Sequence, residues 1–425
     1  MHKILFFLTL ILIFQITNAI SLNPKDIENR IEKHRKKEFY ITLIDSKGVP
    51  VKNKDVYIEQ ISHEFLFGCN IFHWDRTFRS GSIEEKTYRD KFSEIFNYAT
   101  LPFYWGYYEP EKGKERIERL KRIASWCKEK GIKTKAHPLV WHEVVPEWAN
   151  FSPEETETIL EKRVKKIMTD FKDLIDYYDV INESLGTKNY NNCVANWIKK
   201  IGHDEAVKKT IKWAREIDPE AYLIVNDYNI TSEFYNQIEN LKKSKATPDA
   251  IGLQSHMHVG VWENYKLSEI IVRFEKLQLP IHFTELTILS GKLKTDNDWF
   301  SYKIGWFSTP EGEKKQAEEL KRIYTILFSI PSVEAITWWD LTDYDAWQGA
   351  PAGLLRKDLS SKPAYEELKR LVKEVWWTKT NLITDNEGKI SFKGFKGKYK
   401  LVFGNKEITF ELLKNTPSNI ILRLK

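Results

Sequence analysis

Tyr177-Tyr-Asp-Val-Ile-Asn-Glu183 and Pro280-Ile-His-Phe-Thr-Glu-Leu286 are built alike: each is a short apolar run that ends on or beside a glutamate. Runs of this length, bounded by amphipathic segments, read as buried strands rather than helices. Working outward, six more such runs occur at 65–72, 98–103, 133–141, 222–228, 250–256 and 335–341. Segments with helical periodicity separate them, for example 117–130, 154–174, 205–217 and 313–329. Eight alternating β/α units predict an α/β fold of the (β/α)8 TIM-barrel type. A doubly wound open sheet is the alternative, but no glycine-rich phosphate loop follows the first strand.

The flanks differ from the centre. Residues 20–38 are highly charged and read as a helix, with Ile27, Ile31 and His34 at helical spacing. The strand-like runs 39–44 and 55–60 flank the turn-rich Asp45-Ser-Lys-Gly-Val-Pro50 and predict a hairpin. Residues 382–425 alternate apolar and polar side chains around Gly388, Gly394, Gly397 and Gly404, the pattern of a small antiparallel β unit. Neither terminal piece alone buries much core, so the two are expected to form one β-rich accessory module, a brace more than a sugar-binding unit. The expected division is a leader at 1–19, a helix and hairpin at 20–64, the barrel at 65–375 and the C-terminal β module at 376–425.

A chain of 425 residues, 42% hydrophobic and 30% charged, is long enough for one barrel plus a small module with a sizeable core. The formal charge of +6 is spread along the chain without a dense basic block, which argues against nucleic acid as a partner. His2 and Lys3 precede the apolar run 4–14, and small and polar residues follow to Ala19. That is the pattern of a secretory signal peptide cut after Ala19, so the mature protein is expected to be secreted or periplasmic. The apolar run is shorter than the roughly 20 residues that span a bilayer, so no membrane partner is expected after cleavage. Cys69, Cys127 and Cys193 allow at most one disulfide, lack metal-site spacing, and are expected to be buried small hydrophobes. No HExxH-type spacing is present, so neither a metal nor a cofactor is expected. The sequence leaves the oligomeric state open.

In a barrel of this kind the strand C-termini converge on one face, where side chains meet to form a site. The predicted strands end in His137-Pro-Leu-Val-Trp-His142, Asn182-Glu183, Asn226-Asp-Tyr-Asn229, Gln254-Ser-His256, Thr284-Glu285 and Trp338-Trp-Asp340. Glu183 and Glu285 should face each other across the mouth. Such a pair suits glycoside hydrolysis, in which one carboxyl protonates the leaving oxygen and the other attacks the anomeric carbon or activates water. A lone strand-end glutamate is more often a salt-bridge partner than a catalytic group; it is the constellation that favours chemistry. Fifteen tryptophans suit stacking against sugar faces, although core packing accounts for most of them. Asn182-Glu-Ser184 matches a glycosylation sequon but falls on a buried strand end.

These motifs together resemble glycoside hydrolase family 10, the endo-β-1,4-xylanase family. Asp179-Val-Ile-Asn-Glu183 resembles its acid/base motif, and His282-Phe-Thr-Glu285-Leu its nucleophile motif. His137 to Trp148, Gly252-Leu-Gln-Ser-His256, Trp339, Trp347, Leu354-Leu355 and Lys362-Pro-Ala-Tyr365 follow the family order over about residues 65–372. The resemblance implies a retaining hydrolase that cuts internal β-1,4 linkages of xylan, with Glu183 as general acid and base and Glu285 as nucleophile. It further implies that Asn182 bonds the sugar 2-hydroxyl and that His137 and Trp141 line the subsite before the cut. Gln254 and His256 would orient the carboxylates, Trp339 and Trp347 would wall the cleft, and Tyr228 would meet the leaving group.

The chain departs from the family pattern in three places. The second strand of the family carries E-N-x-x-K-W, whereas this chain has Thr100-Leu-Pro-Phe-Tyr-Trp105, so Leu101 and Tyr104 replace two sugar-binding polar groups. Thr287 stands where an Asp supports the histidine, and Asp340 stands where the family has Gly. Loss of buried polar groups changes which sugar a site prefers. The alternatives are therefore the same mechanism on another β-linked polysaccharide, an anionic one included, a transglycosylase, or a non-catalytic carbohydrate-binding protein.

Overall fold

The computed structural model describes residues 20–74 and 77–424; the expected leader, residues 1–19, lies outside the described residues. Eight parallel strands close into a barrel: β3 (Leu66–Asn70), β4 (Tyr98–Pro102), β5 (Lys133–His137), β6 (Tyr177–Asn182), β7 (Tyr222–Asp227), β8 (Ala250–Leu253), β9 (Ile281–Leu286) and β10 (Val333–Trp338). They pair in chain order, and β10 closes on β3 with Ala335 opposite Leu66. All eight predicted runs are barrel strands. Their near-continuous burial follows from helices covering the outside while side chains fill the inside. Tyr98, Tyr177, Tyr222 and His282 fill the barrel floor ring against ring, with centroids 4.8–6.3 Å apart.

The helices owe their ends to local chemistry. Pro153–Asp170 begins with a capping box: Ser152 accepts from the Glu155 amide, and the Glu155 side chain accepts from the Ser152 amide. Pro310–Ser329 starts with proline in its first turn behind the Thr309 cap, and buries Leu320, Ile323, Tyr324 and Leu327. Among the described residues no helix is long and apolar enough to cross a membrane. Cys69, Cys127 and Cys193 are buried and unpaired.

The terminal segments form two further sheets. One has the order β12 (Lys389–Phe395), β1 (Lys36–Ile44), β15 (Asn419–Arg423); the other has β11 (Lys379–Ile383), β2 (Asp55–His63), β13 (Gly397–Phe403), β14 (Lys406–Leu412). The expected hairpin between 39–44 and 55–60 does not form. β1 pairs antiparallel with β12 and parallel with β15, while β2 pairs with β11 and β13. In one flat hairpin, Phe39, Ile41 and Leu43 would share an open face with Val56 and Ile58. In two sheets, these rows enter one core with Tyr399, Leu401 and Leu412. The turn survives as a corner, in which Asp45 Oδ1 accepts from the Lys47 and Val49 amides at 2.8 Å each.

This module sits at the barrel's floor, opposite the strand C-termini. The helix Pro24–His34 buries Ile27 and Ile31 in the barrel core. Arg35 then donates to the carbonyls of Phe328, Ile330 and Val333 at 2.6–2.7 Å, where β10 begins. His63 is buried at the joint, with Nε2 3.0 Å from Val372 O and its ring against Phe67, Trp377 and Phe395.

Candidate active site

At the opposite end, β6 delivers Asn182 and Glu183 to the mouth. Glu183 has φ 53° and ψ 42°, the left-handed region that a side chain with a Cβ rarely adopts, at a cost of order 1–3 kcal/mol. The neighbouring backbone holds it there: its N–H donates to Asn226 O, and its carbonyl accepts from Gly186 N, both at 2.9 Å.

The two glutamates are joined by one amide network. Gln254 Nε2 and Asn182 Nδ2 donate to Glu183 Oε1 at 2.7 and 3.0 Å, and Trp141 Nε1 donates to Oε2 at 3.2 Å. Across the mouth, His256 Nε2 lies 3.0 Å from Glu285 Oε2, and Asn226 Nδ2 donates to Glu285 Oε1 at 2.8 Å. The same Asn226 Nδ2 donates to Asn182 Oδ1 at 2.8 Å, while Thr284 Oγ1 donates to Asn226 Oδ1 at 2.6 Å. Gly252 makes room for this amide: a Cβ there would lie 2.4 Å from Asn226 Oδ1.

Electrostatics separate the pair. Burial, and then the nearby Glu143 carboxylate, push Glu183 well above the usual carboxylate range. Burial alone would also raise Glu285, but the His256 hydrogen bond and the charges of His137, His256 and Lys135 hold it below that range. Two carboxyls pushed in opposite directions are suited to hold one proton and one negative charge at the same pH. Behind them, His137 Nδ1 and Lys135 Nζ lie 2.7 and 2.8 Å from Asp179 Oδ2, all three groups fully buried or nearly so. Burial opposes ionisation of Asp179, and Lys135 and His137 overcome it.

The structure brings the other expected residues to the same mouth. Trp339 is buried against His137 and His256, and Trp347 lies 4.5 Å from the His256 ring. Tyr228 stands exposed at the end of β7. The remaining polar residues near the mouth divide by what they touch. Thr287 Oγ1 sits 3.0 Å from His256 Nδ1, so a hydroxyl occupies the supporting position. Asp340 faces His73 at 3.8 Å and accepts from the Trp347 amide at 3.3 Å. Trp338 is core, donating to Ala352 O. Burial pushes Asp227 up to about 7, and it accepts from the Asn229 amide.

Three features escaped the sequence reading. Asn226 is the hinge of the network; its only signal was a polar residue closing an apolar strand. Glu143 accepts from the Tyr190 hydroxyl, a partner 47 residues away. The long connection 287–309 after β9 carries Trp299, Phe300 and Trp306 back over the mouth. Among the described residues, His142, Glu143 and Glu183 form the grouping that could hold a metal ion, with ligand atoms within 4.8 Å of one another.

A closed (β/α)8 barrel with a carboxyl pair and tryptophan walls at its strand C-termini defines a glycoside hydrolase. The chain belongs to glycosyl hydrolase family 10, whose model matches residues 59–371. It is 31% identical over 291 residues to endo-1,4-beta-xylanase B of Thermotoga neapolitana, covering 64% of this chain and 78% of that enzyme. It is 25% identical over 398 residues to endo-1,4-beta-xylanase 1 of Arabidopsis thaliana, covering 88% of this chain but 37% of that protein. Xylanase 10B from Thermotoga petrophila RKU-1, solved in complex with xylobiose, superposes with a TM-score of 0.61 at 27% identity. It covers 73% of this chain and 95% of that one.

Proposed function

We propose that this protein hydrolyses β-1,4-linked xylan by double displacement, with Glu183 as acid and base and Glu285 as nucleophile. The observation that carries this reading is the opposite electrostatic push on two glutamates that share one amide network. Protonated Glu183 gives its proton to the departing sugar oxygen as the C1–O bond breaks and ionised Glu285 bonds to C1. Glu183, now ionised, takes a proton from water as the water oxygen displaces Glu285 from C1. Asn226 and His256 hold Glu285 in place, and Gln254 and Asn182 hold Glu183.

The xylanase relatives support xylan as the substrate. The residues at 2–19 support export, so the enzyme would meet its polymer outside the cytoplasm. A second reading keeps the mechanism on a different β-linked polysaccharide; it is favoured by Leu101 and Tyr104, which bury an aliphatic and an aromatic side chain where the family resemblance calls for Asn and Lys.

The test is product release from a panel of plant and algal polysaccharides, wild type beside Glu285→Ala. Xylo-oligosaccharides from wild type alone support the first reading. Products from another polymer alone, again lost in the variant, support the second. A 2-fluoro xyloside that labels Glu285 in a peptide map would support the covalent step; labelling elsewhere would overturn it.

A further inference from the structure

Beyond the end of β5 the chain keeps running beside β6. The Leu139 N–H donates to Asp179 O and the Asn182 N–H to Val140 O, both at 2.9 Å, and Val140 and Ile181 form a parallel bridge. Two residues further in this register, His142 and Glu143 arrive beside Glu183. One ligand atom from each, a ring nitrogen and two carboxylate oxygens, lies within 4.8 Å of the others. His142 is fully buried, and neither Nδ1 nor Nε2 has a hydrogen-bond partner among the described residues. A buried imidazole with both nitrogens unused has given up water without replacing it, which native interiors rarely allow. By contrast, His137 and His256 at the same mouth direct ring nitrogens to Asp179, Thr287 and Glu285.

The surroundings hold the three side chains in place. The Tyr190 ring meets the His142 ring edge-on, with centroids 4.4 Å apart, and its hydroxyl donates to Glu143 Oε1. Asn192 Nδ2 donates to His142 O at 2.6 Å, so residues 190–192 orient both His142 and Glu143. Trp141 and Gln254 fix Glu183 from the other sides. Outer partners of this kind are what orient the ligands of a metal ion. Glu143 is partly exposed and opens a way in from solvent. Bonds of about 2.0–2.1 Å at tetrahedral angles place ligand atoms roughly 3.4 Å apart, so the side chains need to close by on the order of 1 Å. One imidazole with two carboxylates suits zinc, whereas calcium and magnesium take oxygen ligands.

We propose that His142, Glu143 and Glu183 bind a zinc-like divalent cation, with a fourth position left to water, and that the bound ion stops hydrolysis. The ion takes the place of the proton on Glu183, and that proton leaves to solvent. Glu183 then has nothing to give the departing sugar oxygen. The site stands on the placement of the three side chains and the unused nitrogens of His142. Its inhibitory effect rests on the functional reading of Glu183 given above.

The full chain, stripped with EDTA and dialysed, is titrated with zinc chloride in a calorimeter. The expected result is one ion per chain with a Kd of about 1 µM. Glu143→Gln keeps an acceptor for the Tyr190 hydroxyl and is expected to weaken binding about 100-fold, and Tyr190→Phe about ten-fold. Zinc should inhibit polysaccharide hydrolysis over the same concentrations, and EDTA should restore it. Equal affinity in wild type and Glu143→Gln, or no binding at about 100 µM zinc, overturns the site. Binding that Glu143→Gln weakens but that leaves hydrolysis untouched overturns the inhibitory effect. Such binding in a wild-type chain that, free of metal, releases nothing from any polysaccharide in the panel overturns the functional reading and leaves the cation site standing.

Discussion

Asn226 and Glu285 stand two strands apart in the barrel, yet the Asn226 amide nitrogen lies 2.8 Å from Glu285 Oε1 and equally close to Asn182 Oδ1. One NH2 group therefore sets the distance between the two halves of the site. Asn226→Ala is expected to lower kcat about 100-fold on an aryl xyloside, because Glu285, the proposed nucleophile, loses its orientation. Gly252→Ala should reproduce much of this loss, since its Cβ would collide with the same amide. Steady-state kinetics beside a thermal melt check both variants: a Gly252 variant with full kcat would show that Asn226 is not needed where it stands.

The pH profile should be a bell whose limbs belong to different residues. The proposed mechanism needs Glu285 ionised and Glu183 protonated, so activity should be lost in acid as Glu285 takes a proton and in alkali as Glu183 loses one. After burial, the Glu143 charge is what raises Glu183 most. Glu143→Gln removes that charge, so the alkaline limb of kcat/KM should move to lower pH while the acid limb moves less. An alkaline limb that stays in place would exclude Glu143 from this role.

Lys135→Met should destabilise the protein by about 3–5 kcal/mol, because Asp179 is left buried without its cation. Asp179 is held below its ordinary value in the folded state. Its contribution is therefore present above the ordinary aspartate pKa and lost as pH falls through the folded value. The cost of the substitution should be largest near neutrality and shrink in acid. Urea midpoints at two pH values measure it; an equal cost at both would assign the loss to packing instead.

Thr287→Val keeps the shape of the side chain and removes the hydroxyl beside His256 Nδ1. A freed imidazole should orient Glu285 less well, lowering kcat about ten-fold with little change in melting temperature. Thr287→Asp, which restores the acidic partner of the family pattern, should recover the rate. Failure of the Asp variant to exceed the Val variant would show that the hydroxyl contributes only packing.

The barrel was legible because eight buried strands leave eight apolar runs, and the two glutamates because each closes such a run. Strand pairing in the terminal module was not legible: alternation in 39–44 and 55–60 reports which face is buried, not which neighbour lies beside it. The same limit applied at the site. Gln254 and His256 could be placed from the family order, but nothing in the sequence joins Glu143 to Tyr190, or Phe300 to the far side of the mouth. Such contacts depend on how long loops fold back, and that information is spread over residues with no local pattern.

Strand β1 lies between β12 and β15, so segments from both ends of the described chain are hydrogen-bonded to each other beneath the barrel. Everything between them is thereby a single closed loop, fastened without a covalent bond. Closing a long loop in advance shrinks the freedom that the unfolded barrel could gain, as a cross-link would. The module thus acts as a reversible clasp: while it holds, a locally opened barrel has its ends pinned together, and fraying that begins at either terminus must first undo the clasp.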